Sequence, residues 1–243
     1  MISEPGQIGG PRLRAVDPWL PGRPWPGRAK QLLSDEERAR LATFASIVRL
    51  KKGEQVYAAG DPAKAVFNIT SGVVKAYKQM PDGALHVASF LYPEDLLGLS
   101  EEGRYANSAE AITPVTAYRL TLEALQRLSK DAELEFHVIT KLCHELREAQ
   151  RHAVLLAQKH ALSKLAMFLQ LQEHIQSTNG ALSEIYLPMN RSDIADYVSM
   201  SLAAVSRGFR TLVSRGVINY RDRRHVTIID REVFDKLAKN SGP

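Results

Sequence analysis

Arginine side chains cluster near the end of the chain, between residues 201 and 225. This stretch carries six arginines and one acid, Asp222, although the whole chain has a formal charge of only +5. So dense a positive field suits a polyanion, but a solvated charged face would have the same composition. The chemistry suggested first is recognition of phosphate groups and base edges, and it depends on the elements that position these side chains.

Two short helices joined by a tight turn are predicted around the arginines. Asn190 can cap a first helix that contains the small residue Ala195, and Ser201 can cap a second. Gly216 follows the second helix, where glycine is favoured because it adopts a left-handed conformation. The predicted buried side of the second helix consists of Val205, Phe209, Leu212 and Val213. This arrangement is typical of a helix-turn-helix.

The opposite face of the second helix is predicted to meet DNA. It presents Ala203, Ser206, Arg207 and Arg210 at helical spacing. Two β-prone runs, 217–220 and 226–229, flank a basic segment and predict a hairpin, or wing. We expect Ala203, Ser206 and Arg207 to read bases, with Arg207 forming a fork onto guanine. We expect Arg210, Arg223 and Arg224 to neutralise phosphates.

The longest helical pattern runs from about residue 133 to residue 175 without proline or glycine. An apolar stripe recurs along it at steps of three and four, as in the seam of a coiled coil. The stripe consists of Ile139, Leu142, Leu146, Ala149, Ala153, Leu156 and His160. We interpret residues 131–160 as a dimerisation helix, although a helix packed on its own chain would also explain an apolar stripe.

The segment between residues 47 and 120 reads as short β-prone pieces separated by turn residues, which is typical of an antiparallel sandwich, barrel or roll. The first residues are rich in proline and glycine and predict an extended arm. The sequence therefore predicts an α+β chain. Its parts are a flexible arm (1–30), an antiparallel β-roll (31–130), the long dimerisation helix (131–160) and a C-terminal winged helix-turn-helix (161–243).

Several classes of protein and site are disfavoured. The single cysteine, Cys143, excludes an internal disulfide and any site that needs several thiolates from one chain, and we expect it to be partly buried. Without an apolar run of membrane-spanning length or a secretory start, we expect a cytoplasmic protein with no membrane partner. No nucleophile has a recognisable base, so we expect no enzyme. Four histidines of the long helix are spaced for surface or interface positions rather than for a metal: His137, His144, His152 and His160.

The run 187–198, LPMNRSDIADYV, followed by Val205-Ser206-Arg207, resembles the helix-turn-helix of the CRP/FNR family, especially its FixK and FNR branch. The segments 52–54, 60–62 and 69–75 resemble the family's cyclic-nucleotide-binding-like β-roll. The resemblance implies a homodimeric transcription regulator, an activator, that binds a palindromic operator in double-stranded DNA and works with RNA polymerase. The alternative is a ligand-binding or interaction module whose output is a protein partner, but such a module would not need a basic helix-turn-helix.

The departures from the family pattern concern ligands. The family's cAMP pocket uses a Gly-Glu pair for the ribose and an Arg-Ser or Arg-Thr pair for the phosphate. Here Gly98 precedes Leu99, and the second pair aligns with Asn107-Ser108. A buried phosphate without a cation would be unfavourable, so we expect no useful cAMP binding.

Other cofactors of the family are equally disfavoured by the resemblance. One cysteine cannot supply the iron–sulfur cluster of FNR, and the haem-ligating histidine of the family's CO sensor aligns with Ser100. We therefore expect no cofactor and no metal.

The FixK and FNR branch of the family also has a Glu-x-x-Ser-Arg pattern in its recognition helix. In this sequence Ala203 replaces the glutamate, while Ser206 and Arg207 are kept.

Overall fold

The computed structural model describes residues 44–100, 102–128, 132–176 and 184–239. The predicted arm lies outside these residues. Within the described part, the N-terminal half forms two four-stranded antiparallel sheets, with strand orders β1-β8-β3-β6 and β2-β7-β4-β5. The strands are β1 (Ala45–Leu50), β2 (Gln55–Tyr57), β3 (Ala65–Ser71), β4 (Val74–Gln79), β5 (Leu85–Leu91), β6 (Leu96–Leu97), β7 (Ser108–Ala111) and β8 (Val115–Thr121).

The two sheets enclose the core of the roll because alternate side chains of each strand point inward. In β3, Ala65, Phe67 and Ile69 belong to the core of the roll, and Val66, between them in the sequence, is buried as well. Gly72 makes the turn between β3 and β4 with φ of 86°. A Cβ atom there would lie 2.2 Å from the carbonyl oxygen of Pro114, so the turn requires glycine.

The C-terminal half is mainly helical. Its elements are α1 (Leu122–Leu128), α2 (Ala132–Ala157), α3 (Ala161–Gln176), β9 (Ile185–Tyr186), α4 (Arg191–Val198), α5 (Leu202–Ser214), β10 (Ile218–Tyr220), β11 (His225–Ile228) and α6 (Arg231–Lys239). The last three strands form a small antiparallel sheet in the order β10-β11-β9. The predicted fold class, an α+β chain with a β-roll, a long helix and a C-terminal winged helix-turn-helix, is therefore confirmed.

The prediction of one uninterrupted helical pattern over residues 133–175 is wrong. The long helix α2 ends at Ala157, where the Gln158 N–H bonds to the carbonyl of Leu155 in a tight last turn. The next helix begins after His160, whose carbonyl accepts from the Lys164 N–H. His160 therefore lies outside α2, and the heptad stripe of the long helix ends at Leu156.

Helix α3 explains why no break was visible in the sequence. It is buried on most sides, with Leu165, Phe168 and Leu169 fully enclosed, so its residues have no strong apolar period. Among the described helices, none is long and apolar enough to cross a membrane.

Candidate nucleic-acid interface

Asn190 caps helix α4, as predicted. Its side-chain Oδ1 accepts from the N–H of Asp193 at 2.8 Å, and the Asp193 carboxylate accepts from the Asn190 N–H at 3.2 Å. This reciprocal capping box satisfies two N–H groups that the helix itself leaves without partners. Ser199 then turns the chain in a left-handed conformation, and Ser201 caps α5 through the N–H of Ala204 at 3.2 Å. Both predicted caps are present.

The buried side of α5 is shifted from the predicted one. Val205, Phe209 and Leu212 are enclosed, whereas Val213 is partly exposed. The buried stripe includes Gly208, which sequence reasoning missed. A Cβ atom at Gly208 would lie 2.4 Å from a methyl group of Leu165 on α3. Glycine therefore allows the close approach of α5 and α3, and it fixes which face of α5 points outward.

The outward face of α5 carries the predicted DNA-reading residues. Ala203, Arg207 and Arg210 are exposed, and Ser206 is half-buried. Neither Arg207 nor Arg210 forms an ion pair within the described residues; Arg210 bonds only to the carbonyl of Ser206, at 3.4 Å. Their charges are thus available to a polyanion that approaches this face.

The wing is held in shape by Asp222, the acid among the six arginines. Its Oδ1 accepts from the N–H groups of Arg224 at 2.7 Å and His225 at 3.1 Å, which forms a local turn. The hydrogen bond from the Arg224 N–H, followed by those from His225, holds the pKa of Asp222 below its usual value. Arg223 and Arg224 are exposed at the tip, while Arg221 pairs with Glu184 at 3.0 Å.

Arg191, at the start of α4, joins the helix-turn-helix to the wing. Its guanidinium lies 3.7 Å from the ring centre of Phe209 on α5, and its Nη2 donates to the hydroxyl of Tyr220 on β10 at 2.6 Å. Burial raises the pKa of Tyr220 to about 12, although the charge of Arg191 opposes this shift. Sequence reasoning counted the arginines from residue 201 onward and so missed this residue; its helix N1 position, directly after the cap, was the available signal.

An ionic cluster connects the roll to α4. The Lys75 ammonium on β4 lies 2.9 Å from the Asp193 carboxylate and 3.5 Å from that of Glu110 on β7. Burial alone would lower the pKa of Lys75, but the hydrogen bonds and charges of the two carboxylates raise it above its usual value. Because Lys75 and Asp193 are both largely enclosed, this contact fixes how the helix-turn-helix lies on the roll.

A second contact between the parts of the chain corrects the interpretation of the histidines. His152 of α2 is buried, not on the surface or at an interface between chains. Its ring stacks on Tyr197 of α4 at 3.9 Å, and its Nε2 is 2.8 Å from the Tyr197 carbonyl oxygen. Burial holds the pKa of His152 below 6.5, and the nearby His86 acts in the same direction. The ring thus packs at the junction of the roll, the long helix and the winged helix-turn-helix.

The apolar stripe of α2 is largely uncovered. Ile139, Leu142 and Leu146 are exposed in the single chain, and Ala149 and Ala153 are exposed with them. Exposed apolar patches are often found where proteins bind one another. The end of the stripe differs: Leu156 is half-buried and packs against the core of its own chain. Cys143, expected to be partly buried, is also exposed.

Aromatic rings pack in the roll near Gly98. Tyr57 and Tyr105 stack at 3.8 Å, and a Cβ atom at Gly98 would lie 3.2 Å from the Tyr105 ring. The Tyr105 hydroxyl donates to the carbonyl of Ala65 at 2.9 Å. The Ser108 hydroxyl accepts from the N–H of Ala59 at 3.0 Å. Within the described residues, three or more potential metal-ligating side chains nowhere come together.

A β-roll, a long helix with an uncovered apolar seam and a basic winged helix-turn-helix define a class of two-part DNA-binding regulators. Comparison with known families agrees: residues 47–132 match the cyclic nucleotide-binding domain, and residues 163–237 match the Crp-like helix-turn-helix domain. The chain belongs to the CRP/FNR family of DNA-binding transcription regulators, not to a family of enzymes.

Individual relatives support this assignment. The nitrogen fixation regulation protein FixK of Bradyrhizobium diazoefficiens is 33% identical over 196 residues, which cover 79% of this chain and 83% of that protein. The transcriptional activatory protein AadR of Rhodopseudomonas palustris is 30% identical over 205 residues, or 84% of each chain. The structure of FixK2 from Bradyrhizobium japonicum superposes with a TM-score of 0.73 at 27% identity, covering 82% of this chain and 99% of the other.

Proposed function

We propose that the chain acts in the cytoplasm as a homodimeric, sequence-specific activator of transcription that binds a palindromic operator and works with RNA polymerase. The observation that carries the proposal is the outward face of α5, where arginines without ion pairs within the described residues stand beside a basic wing. The uncovered seam of α2 supports the dimer. The name of AadR, a transcriptional activatory protein, supports activation. Two α5 helices related by a twofold axis would read half-sites about one helical turn apart.

The sequence preference follows from the side chains on that face. Arg207 is placed to fork onto a guanine, a contact that discriminates against other bases by about 1–3 kcal/mol, or roughly fivefold to 150-fold. Ser206 can bond to a neighbouring base. Ala203 has no acceptor for a cytosine amino group, but its methyl can contact a thymine methyl. Arg210, Arg223 and Arg224 are assigned to phosphates, which set affinity but carry no base information.

Selection of bound sequences from random DNA tests this assignment. Arg207→Ala is expected to lose the preference for a guanine in the selected sequences while keeping salt-sensitive nonspecific binding. Ala203→Glu is expected to shift the preference toward a cytosine at the base that residue 203 contacts. Arg215→Ala is the matched control, because Arg215 is an exposed arginine directly after the C-terminal end of the same helix. If wild type and both variants select the same motif, this face of α5 does not read bases.

A further inference from the structure

A cavity of about 560 Å³ lies between the roll and the DNA-binding domain. This volume is within the range of small-molecule sites. The roll contributes the loop at Lys52 and Gly53 and parts of β4 and β7, while the DNA-binding domain contributes the start of α4 and the tip of the wing. The cavity is thus built from both halves of the chain, and the expected functions of the roll and the helix-turn-helix do not account for it.

The lining carries an excess of positive charge. Both carboxylates of the cavity, Glu110 and Asp193, are paired with Lys75. Four other cations line the same cavity and form no ion pair within the described residues: Lys52, Arg191, Arg223 and Arg224. Nη1 of Arg191 is buried without a hydrogen-bond acceptor in the described structure. Helix α4 also begins here, so its N-terminal N–H groups add to the positive field.

We propose that this cavity is a phosphate-binding site in which Lys52 of the roll acts together with Arg191 and Arg224 of the DNA-binding domain. Guanidinium groups bind phosphate through paired hydrogen bonds, and an ammonium adds a compact charge. Because Lys75 holds both carboxylates, their repulsion of an incoming dianion is reduced. The inference deepens the proposed function, since the wing arginines are shared with DNA. The phosphate group belongs either to DNA that flanks the operator or to a free phosphorylated compound.

The two-part construction of the site gives it a regulatory consequence. A phosphate can bond to the roll and to the DNA-binding domain at once only when the two lie close together. Its binding therefore favours that relative orientation of the two domains. Any change in operator affinity caused by a free phosphate is matched by an equal change in phosphate affinity caused by the operator. The site therefore links occupancy of the cavity to the presentation of α5.

The test compares Lys52→Gln with Lys51→Gln in the full chain. The two lysines are adjacent and exposed, and each variant removes one charge, but only Lys52 lines the cavity. In the first arm, inorganic pyrophosphate is titrated calorimetrically into wild type and both variants. A free-phosphate site predicts binding to wild type that is weakened at least about tenfold by Lys52→Gln, as a lost charge-assisted bond implies, and preserved by Lys51→Gln.

In the second arm, operator affinity is measured against salt on a short duplex and on one with long flanks. A flanking DNA phosphate predicts that Lys52→Gln lowers the slope of log K against log salt by about 0.9 on the long duplex only, with no such change in Lys51→Gln. Either pattern supports the site and identifies its source of phosphate. If Lys52→Gln matches Lys51→Gln in both arms, the proposal is overturned. Failure of the wild type to select any operator would instead refute the proposed function and leave the pyrophosphate arm intact.

Discussion

The uncovered seam of α2 makes a quantitative prediction for the double variant Ile139→Glu with Leu146→Glu. These side chains are 57% and 62% exposed in the single chain. Burying a whole leucine or isoleucine contributes about 1.5–3 kcal/mol, so covering the exposed parts in both protomers contributes about 4–7 kcal/mol. Four carboxylates near the helix pair would add repulsion. We expect the Kd of dimerisation to rise at least about a thousandfold.

Sedimentation velocity at micromolar concentration measures the result directly, with a monomer expected for the variant and a dimer for the wild type. Leu156 is unsuitable for this test because it packs against the core of its own chain. Ile229→Glu is the matched control, since Ile229 is 58% exposed but belongs to the DNA-binding domain. A double variant that still sediments as a dimer would show that α2 is not the interface.

Three further predictions concern the roll and its contacts with the helices. Calorimetry with millimolar cAMP is expected to show no binding, because neither pocket pair supplies its charged partner; micromolar affinity would contradict this. Lys75→Met leaves Asp193 and Glu110 without their cation, and we expect a loss of about 2 kcal/mol in urea unfolding, between the values for exposed and buried pairs. An unchanged urea midpoint would refute this expectation. Burial of His152 disfavours its protonated form in the folded state. The free energy of unfolding is therefore unaffected by this group above pH 6.5 and decreases as the pH falls below that value. His152→Phe is expected to show a smaller decrease in melting temperature from pH 7 to 5.5, and equal decreases would refute the assignment.

The sequence predicted those parts of the interface that follow local rules. A helix cap joins residues three positions apart, so Asn190 and Ser201 were visible as caps without any knowledge of the fold. Gly216 was also predictable from the local sequence, because glycine is favoured directly after a helix, and it adopts a φ of 68°. The period of α5 located the face with Arg207, but not its edge, because Gly208 rather than Val213 belongs to the buried stripe.

The contacts that orient the DNA-binding domain could not be predicted, because they join residues far apart in the sequence. Lys75 and Asp193 are 118 positions apart, and each is unremarkable in its own strand or helix pattern. His152 and Tyr197 are 45 positions apart. Periodicity shows that a side chain faces inward or outward, but not which element it will meet.

These long-range contacts determine where the predicted DNA-reading face points. Helix α5 is held against α3 at Gly208 and is linked through Phe209 to Arg191, whose helix α4 is bonded to the roll by Asp193 and Lys75. Lys75 belongs to β4, which pairs with β5 and β7 within one sheet of the roll. A displacement of β4 relative to α4 would stretch the 2.9 Å contact between Lys75 and Asp193, and such bonds weaken as the distance grows. The orientation of Arg207 on α5 thus depends on β4, a strand of the roll that lies far from it in the sequence.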